Sequence, residues 1–158
     1  MLKGDAMPSA RQLRTGKTLS AAAGESTAAG AKRARILIVE DDYFVATGLE
    51  HALVDAGFEV VGIAVTAEQA VELGADQQPQ LVVMDIRLAG SRDGIDAALE
   101  LLSKHGIRSL FATAHGDDAT RARAEKAQPL GWLTKPYSTR LAVETIRNIL
   151  GSTRATPV

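Results

Sequence analysis

The sequence contains no cysteine. Disulfide frameworks, thiolate nucleophiles and cysteine-based metal sites are therefore excluded. It also lacks any long apolar run. Its longest is a few residues, far short of the roughly 20 that span a bilayer, so no membrane partner is expected. No repeat of the solenoid kind is present. A phosphate-binding loop is missing too. Gly16-Lys17-Thr18 resembles the end of one, but the pattern needs a glycine at position 11, where Arg11 stands. Clustered positive charge is absent from most of the chain. The formal net charge is −1 over 158 residues, but it is uneven. Residues 1–34 hold six basic side chains (Lys3, Arg11, Arg14, Lys17, Lys32, Arg33) against Asp5 and Glu25, a balance of +4, which leaves −5 for the remainder. An acidic domain is poorly suited to duplex DNA, so no direct nucleic-acid contact is expected.

A chain of this length with 46% hydrophobic residues suits one domain with a real core. Residues 1–34 are rich in Ala, Gly, Ser and Thr without a lasting apolar period, and read as a disordered tail. The domain is expected over residues 35–151, with a short C-terminal tail at 152–158.

Within the domain, strand and helix alternate five times. The strands are expected at Ile36–Val39, Glu59–Ala64, Leu81–Asp85, Ser109–Thr113 and Gly131–Thr134. The first helix, Tyr43–Ala56, carries a stripe of Val45, Leu49, Ala52, Leu53 and Ala56, and Gly57 stops it. Thr66 and Gln69 form a capping box for a second helix with Ala67, Ala70 and Val71 inward. The third, Ile95–Lys104, turns Ile95, Ala98, Leu99 and Leu102 inward. The fourth, Asp118–Lys126, is weakly apolar, and the fifth, Ser138–Leu150, buries Val143, Ile146 and Leu150. This pattern predicts an α/β fold: a doubly wound, five-stranded parallel sheet, (βα)5 and flavodoxin-like, with right-handed crossovers.

A parallel sheet brings its strand ends to one edge, where ligands bind. Strand one ends in Glu40-Asp41-Asp42, strand three in Asp85, strand four in Thr113, and Lys135-Pro136 follows strand five. Crowded carboxylates repel unless a cation compensates. Oxygen ligands without His or Cys favour a hard ion such as Mg²⁺. A lysine beside such an ion can neutralise a phosphoryl group, and an aspartate can act as nucleophile toward phosphorus. Each piece also has a plainer reading. The acidic residues could cap a helix, Thr113 close a turn, and Lys135 sit in solvent. It is their convergence on one edge that favours a site.

Ile36-Leu37-Ile38-Val39-Glu40-Asp41-Asp42, Met84-Asp85, Ala112-Thr113-Ala114 and Thr134-Lys135-Pro136 together resemble the receiver domain of two-component response regulators. The resemblance runs in order from about Arg35 to Leu150. It implies that Asp85 is the phosphoacceptor, charged from the phosphohistidine of a sensor histidine kinase or a histidine phosphotransferase. It implies that Asp41, Asp85 and the backbone carbonyl of Arg87 hold Mg²⁺, with Glu40 acting through water. It further implies that Thr113 and Lys135 contact the phosphoryl oxygens, that Lys135-Pro136 is cis, and that Arg87 and His115 tune dephosphorylation. Trp132 falls where the family often has a rotating Tyr or Phe, so Thr113 and Trp132 become the switch pair. Phe111-Ala112-Thr113 resembles the Phe-Ala-Thr-Gly subgroup of stand-alone receivers in alphaproteobacteria, with Ala114 in place of the Gly. Ala89 stands where many receivers have Pro, in a loop one residue longer than usual.

Only eight residues follow Leu150, so the expected output is a protein-binding surface on the fourth helix, fifth strand and fifth helix. The reading places the protein in the cytoplasm, leaves room for a homodimer, and expects no turnover of a separate substrate. Two other classes fit less well. A flavodoxin-like cofactor binder needs a phosphate cradle where Glu40-Asp41-Asp42 would repel one. A Mg²⁺-dependent phosphohydrolase with an aspartyl nucleophile needs a second acid beside Asp85, and Arg87 stands two residues on.

Overall fold

A computed structural model of the chain describes residues 30–114 and 116–154. Most of the tail expected at residues 1–34, and His115, lie outside the described residues. Strands β1 (Arg35–Val39), β2 (Glu59–Ala64), β3 (Leu81–Asp85), β4 (Ser109–Thr113) and β5 (Gly131–Thr134) alternate with five helices. These are α1 (Tyr43–Asp55), α2 (Ala67–Gln77), α3 (Gly94–His105), α4 (Asp118–Glu125) and α5 (Thr139–Arg154). The sheet is parallel throughout, in the order β2-β1-β3-β4-β5. The expected doubly wound fold is thus the one observed.

The pleat sends alternate residues to two cores. Leu37, Val39, Val82, Met84 and Phe111 pack against α2, α3 and α4. Ile36, Ile38, Leu81, Val83, Leu110, Ala112 and Leu133 pack against α1 and α5. All five residues of β3 are buried, as a central parallel strand requires. Trp132 falls on the α4 side, against Phe111, with ring centroids 5.3 Å apart.

Local chemistry explains the helix boundaries. Asp42 caps α1 by accepting from the Phe44 and Val45 amides. Gly57 follows with φ +95°, a conformation that suits glycine. Thr66 caps α2 by accepting from the Gln69 amide, while the Gln69 side chain accepts from Val65 rather than from Thr66 itself. Asp93 and Asp96 form a reciprocal capping box at α3.

Three expectations need correction. In α1 the buried residues are Ala46, Leu49 and Leu53, while Val45 is exposed. Leu49 and Leu53 are buried as expected and Ala52 and Ala56 pack against the same core, so the difference lies at the first turn, where Ala46 takes the inward place. In α3 Leu101, not Leu102, is the fully buried leucine. It fills the space left by the absent side chain of Gly74 on α2. Finally, α5 runs to Arg154, a turn beyond Leu150, so the expected tail at 152–158 begins as helix.

Candidate functional site

The carboxyl ends of β1 and β3 are neighbours in the sheet, so Glu40 and Asp41 arrive beside Asp85. Carboxylate oxygens of Glu40, Asp41 and Asp85 all lie within 4.8 Å of one another. Glu40 and Asp85 are buried, and Asp41 is exposed. Lys135, entering from the end of β5, reaches both buried carboxylates. Its Nζ donates to Glu40 Oε2 at 2.8 Å and Asp85 Oδ2 at 3.0 Å. Burial disfavours the Lys135 ammonium, but the hydrogen bonds and charges of Glu40 and Asp85 outweigh it and hold its pKa above the ordinary lysine value.

Backbone amides fix the rest. Glu40 Oε1 accepts from the Asp42 amide at 3.0 Å, and Asp85 Oδ1 from the Arg87 amide at 3.3 Å. Both oxygens of Glu40 are therefore engaged. Asp42, by contrast, spends its side chain on the α1 cap, so the plainer reading holds for that acid. Lys135 N donates to Thr113 O at 2.8 Å, and Lys135–Pro136 is cis. Across the ladder Asp85 pairs with Ala112, so Thr113 stands one residue further toward the same edge. The Arg87 side chain is exposed. His115 lies outside the described residues.

Three carboxylates against one ammonium leave two formal negative charges at this edge. A donor set of oxygen alone, part buried and part open to solvent, fits a hard divalent cation.

Several residues were not legible from motifs. Gly94 opens α3 directly against the phosphoacceptor candidate. A β-carbon there would overlap the Asp85 carbonyl oxygen and stand 2.9 Å from its carbon. The Gly94 amide also donates to Ile86 O at 2.8 Å, closing the loop between β3 and α3. Gly90, with φ +107°, turns that loop where Ala89 replaces the usual proline. On the other side of Lys135, an apolar groove of about 420 Å³ is lined by Phe44, Val45, Gly48, Pro136 and Tyr137 among others. Tyr137 is half-buried, and burial with the nearby Glu40 charge raises its phenol pKa. The signal for the groove was an α1 start, Tyr43-Phe44-Val45, too apolar for the exposure it has.

The model of the response regulator receiver domain family matches residues 36–147. The chain belongs to that family. Among curated relatives, the receiver is 38% identical over 104 residues to the transcriptional regulatory protein PdtaR of Mycobacterium tuberculosis, covering 66% of this chain and 50% of that protein. It is 31% identical over 116 residues to the chemotaxis protein CheY of Thermotoga maritima, covering 73% of this chain and 96% of CheY. Among solved structures it matches the signal receiver domain of a modulated diguanylate cyclase from Desulfovibrio desulfuricans. That match has a TM-score of 0.71 and 29% identity, covering 78% of this chain and 98% of that one. The chain thus spans half the length of PdtaR, and nearly all of CheY. It is a receiver domain of the two-component signalling class, with an acidic cluster of the kind that receivers use for Mg²⁺. No helix among the described residues is long and apolar enough to cross a membrane.

Proposed function

We propose that this receiver takes a phosphoryl group from a phosphohistidine onto Asp85 and signals by protein contact. The observation that carries the reading is the meeting of Glu40, Asp41 and Asp85 with Lys135 at one sheet edge. A carboxylate oxygen of Asp85 forms the O–P bond as the N–P bond of the phosphohistidine breaks, and the imidazole leaves. Lys135 exchanges its hold on Asp85 for a phosphoryl oxygen, and the Thr113 hydroxyl takes another. Mg²⁺, when bound, would neutralise charge on the transferring group. Asp41, Asp85 and the carbonyl of Arg87 would hold it, with Glu40 acting through water, as the resemblance to receivers implies.

The donor is a sensor histidine kinase or histidine phosphotransferase. The groove beside Lys135 is apolar, and Phe44 at its rim is 83% exposed, which suits a protein donor better than a small phosphorylated metabolite. This also weighs against a phosphohydrolase, as does the exposed Arg87 two residues beyond Asp85. Thr113 and Trp132 form the switch, Arg87 and His115 tune the lifetime of the phosphoryl group, and α4, β5 and α5 carry the output surface. Such phosphotransfer belongs in the cytoplasm.

The test is labelling by acetyl phosphate or a phosphorylated kinase in Mg²⁺. One acid-labile phosphoryl group per chain is expected, absent from Asp85→Ala. Equal labelling of that variant would overturn the assignment.

A further inference from the structure

Helix α4 is held mainly by the side chains of two arginines. It is eight residues long, and Ala124 is its one buried residue. An alanine side chain removes little apolar area from water, so packing alone fixes this helix weakly. Two arginines supply other contacts. The Arg121 guanidinium carbon lies 4.4 Å from the centre of the Trp132 ring. Arg123 reaches back to the start of α3. One of its terminal nitrogens stands 2.7 and 2.8 Å from the two oxygens of Asp93 and 3.2 Å from Asp96 Oδ1.

Those two acids are the capping box of α3. The next residue after Asp93 is Gly94, whose backbone lies against the carbonyl of Asp85 and bonds to Ile86. Arg123 therefore grips a point on the chain that is fixed directly to the acceptor strand. At the other end, only the segment from Ala114 to Asp117 separates Thr113 from the start of α4. Asp117 caps the start of the helix and Arg123 lies near its far end, so the two ends are held by different parts of the chain.

We propose that the ion pairs of Arg123 with Asp93 and Asp96 are a restraint that keeps α4 in its unphosphorylated placement and sets how readily phosphorylation moves it. The inference rests on the reading of Asp85 as acceptor and Thr113 as its contact. A contact made in one state only shifts the equilibrium by its own free energy, so its removal lowers the ligand concentration that reaches the other state. The three side chains are 42%, 32% and 40% exposed, which keeps the effect modest and sensitive to salt.

The full chain carrying Arg123→Gln is compared with wild type in two measurements. Amide hydrogen exchange over residues 118–126, without any phosphoryl mimic, is expected to speed up about two- to fivefold. Unchanged exchange there would overturn the restraint itself. Titration with beryllofluoride in Mg²⁺, followed by fluorine NMR, is expected to reach half-saturation at a concentration lower by about the same factor. An equal or higher half-saturation would mean that the ion pairs persist in both states, and would overturn the proposal. Asp96→Asn removes the charge of the weaker contact, leaves one oxygen to accept from the Asp93 amide and keeps the Asp93 side-chain cap, and is expected to move both readouts the same way by less. It serves as the deciding variant if Arg123→Gln loses its far-ultraviolet circular dichroism. Failure of wild type to bind beryllofluoride would instead overturn the assignment of Asp85, and the exchange measurement would still judge the restraint.

Discussion

Gly94 stands so close to Asp85 that no other residue fits between the start of α3 and the end of β3. A β-carbon at position 94 would overlap the Asp85 carbonyl oxygen, and its other neighbour is Met84 Cγ at 3.0 Å. The obstacle is backbone, so it cannot rotate away. Alanine normally improves a helix by up to about 1 kcal/mol over glycine. Here the displaced strand end outweighs that gain. Gly94→Ala is expected to lose about 1–3 kcal/mol in urea unfolding. It should also slow phosphorylation, because the backbone that carries Asp85 must shift. A variant as stable as wild type would show that the loop after β3 yields easily.

Mg²⁺ should stabilise the fold through its binding alone. A ligand that binds only the native state adds about 1.4 kcal/mol at tenfold excess over its dissociation constant. The melting temperature is expected to rise with added Mg²⁺ and to fall back with chelator. Asp41→Asn should remove most of this response, because Asp41 is the exposed, accessible acid of the cluster. Lys135→Ala should enlarge it, since Glu40 and Asp85 then lack their ammonium partner. A melting temperature indifferent to Mg²⁺ would argue against the cation.

The Arg123 contacts should also appear in acid. Burial of Asp93 alone would raise its carboxyl pKa. The Arg123 hydrogen bond, the Asp96 amide and the Arg123 charge outweigh it and hold the pKa below the usual carboxylate value. A carboxyl depressed in the folded state stabilises the fold fully above its unfolded pKa, about 3.9 for Asp. That contribution fades as pH falls through the lower, folded value. Because Asp93 is partly exposed, it amounts to a few tenths of a kcal/mol up to about 1 kcal/mol. Urea midpoints measured between about pH 5 and pH 2.5 should fall more for wild type than for Arg123→Gln. Parallel curves would show that the pair contributes nothing to folding.

The sheet was legible because its strands are short apolar-rich runs closed by polar or turn residues, fully buried in β3 and only partly buried in the edge strands β2 and β5. Leu81–Asp85, Ser109–Thr113 and Gly131–Thr134 appear with the expected bounds. The acidic edge was legible for the same reason, since strand ends of a parallel sheet must share one side. What escaped detection depends on distances between elements. Nothing in the sequence shows that at the first turn of α1 Ala46 is buried and Val45 exposed. Nor does it reveal that Gly94 abuts Asp85, or that Arg123 crosses 30 positions to reach Asp93. The last turn of α5 is polar and gives no apolar period. Its Ser152 and Thr153 hydroxyls donate to the carbonyls of Asn148 and Ile149, inside the helix they extend.

Trp132 is expected to report the switch. It is the only tryptophan, so its emission is that of one site. It lies between Phe111 of the neighbouring strand and the Arg121 guanidinium of α4, on the side of the sheet that α4 covers. Both contacts respond to the proposed step. Phe111 is two residues before Thr113 on β4, and Arg121 rides on the helix that Thr113 leads into. Drawing Thr113 toward a phosphoryl oxygen is expected to shift Phe111 on the same strand, and moving α4 to take the guanidinium off the indole face. Loss of a nearby cation and a change in exposure both alter indole emission. Mg²⁺ and then beryllofluoride should therefore change the signal in two steps. Thr113→Ala or Lys135→Ala should abolish the second step and keep the first, because neither residue is among the expected cation ligands. Arg121→Gln should alter the starting spectrum and shrink the second step while leaving beryllofluoride binding in place. A bulky indole wedged against Phe111 has a competing behaviour, which is to stay fixed. An emission spectrum unmoved by beryllofluoride, in protein shown to bind it, would mean that the signal leaves by another surface.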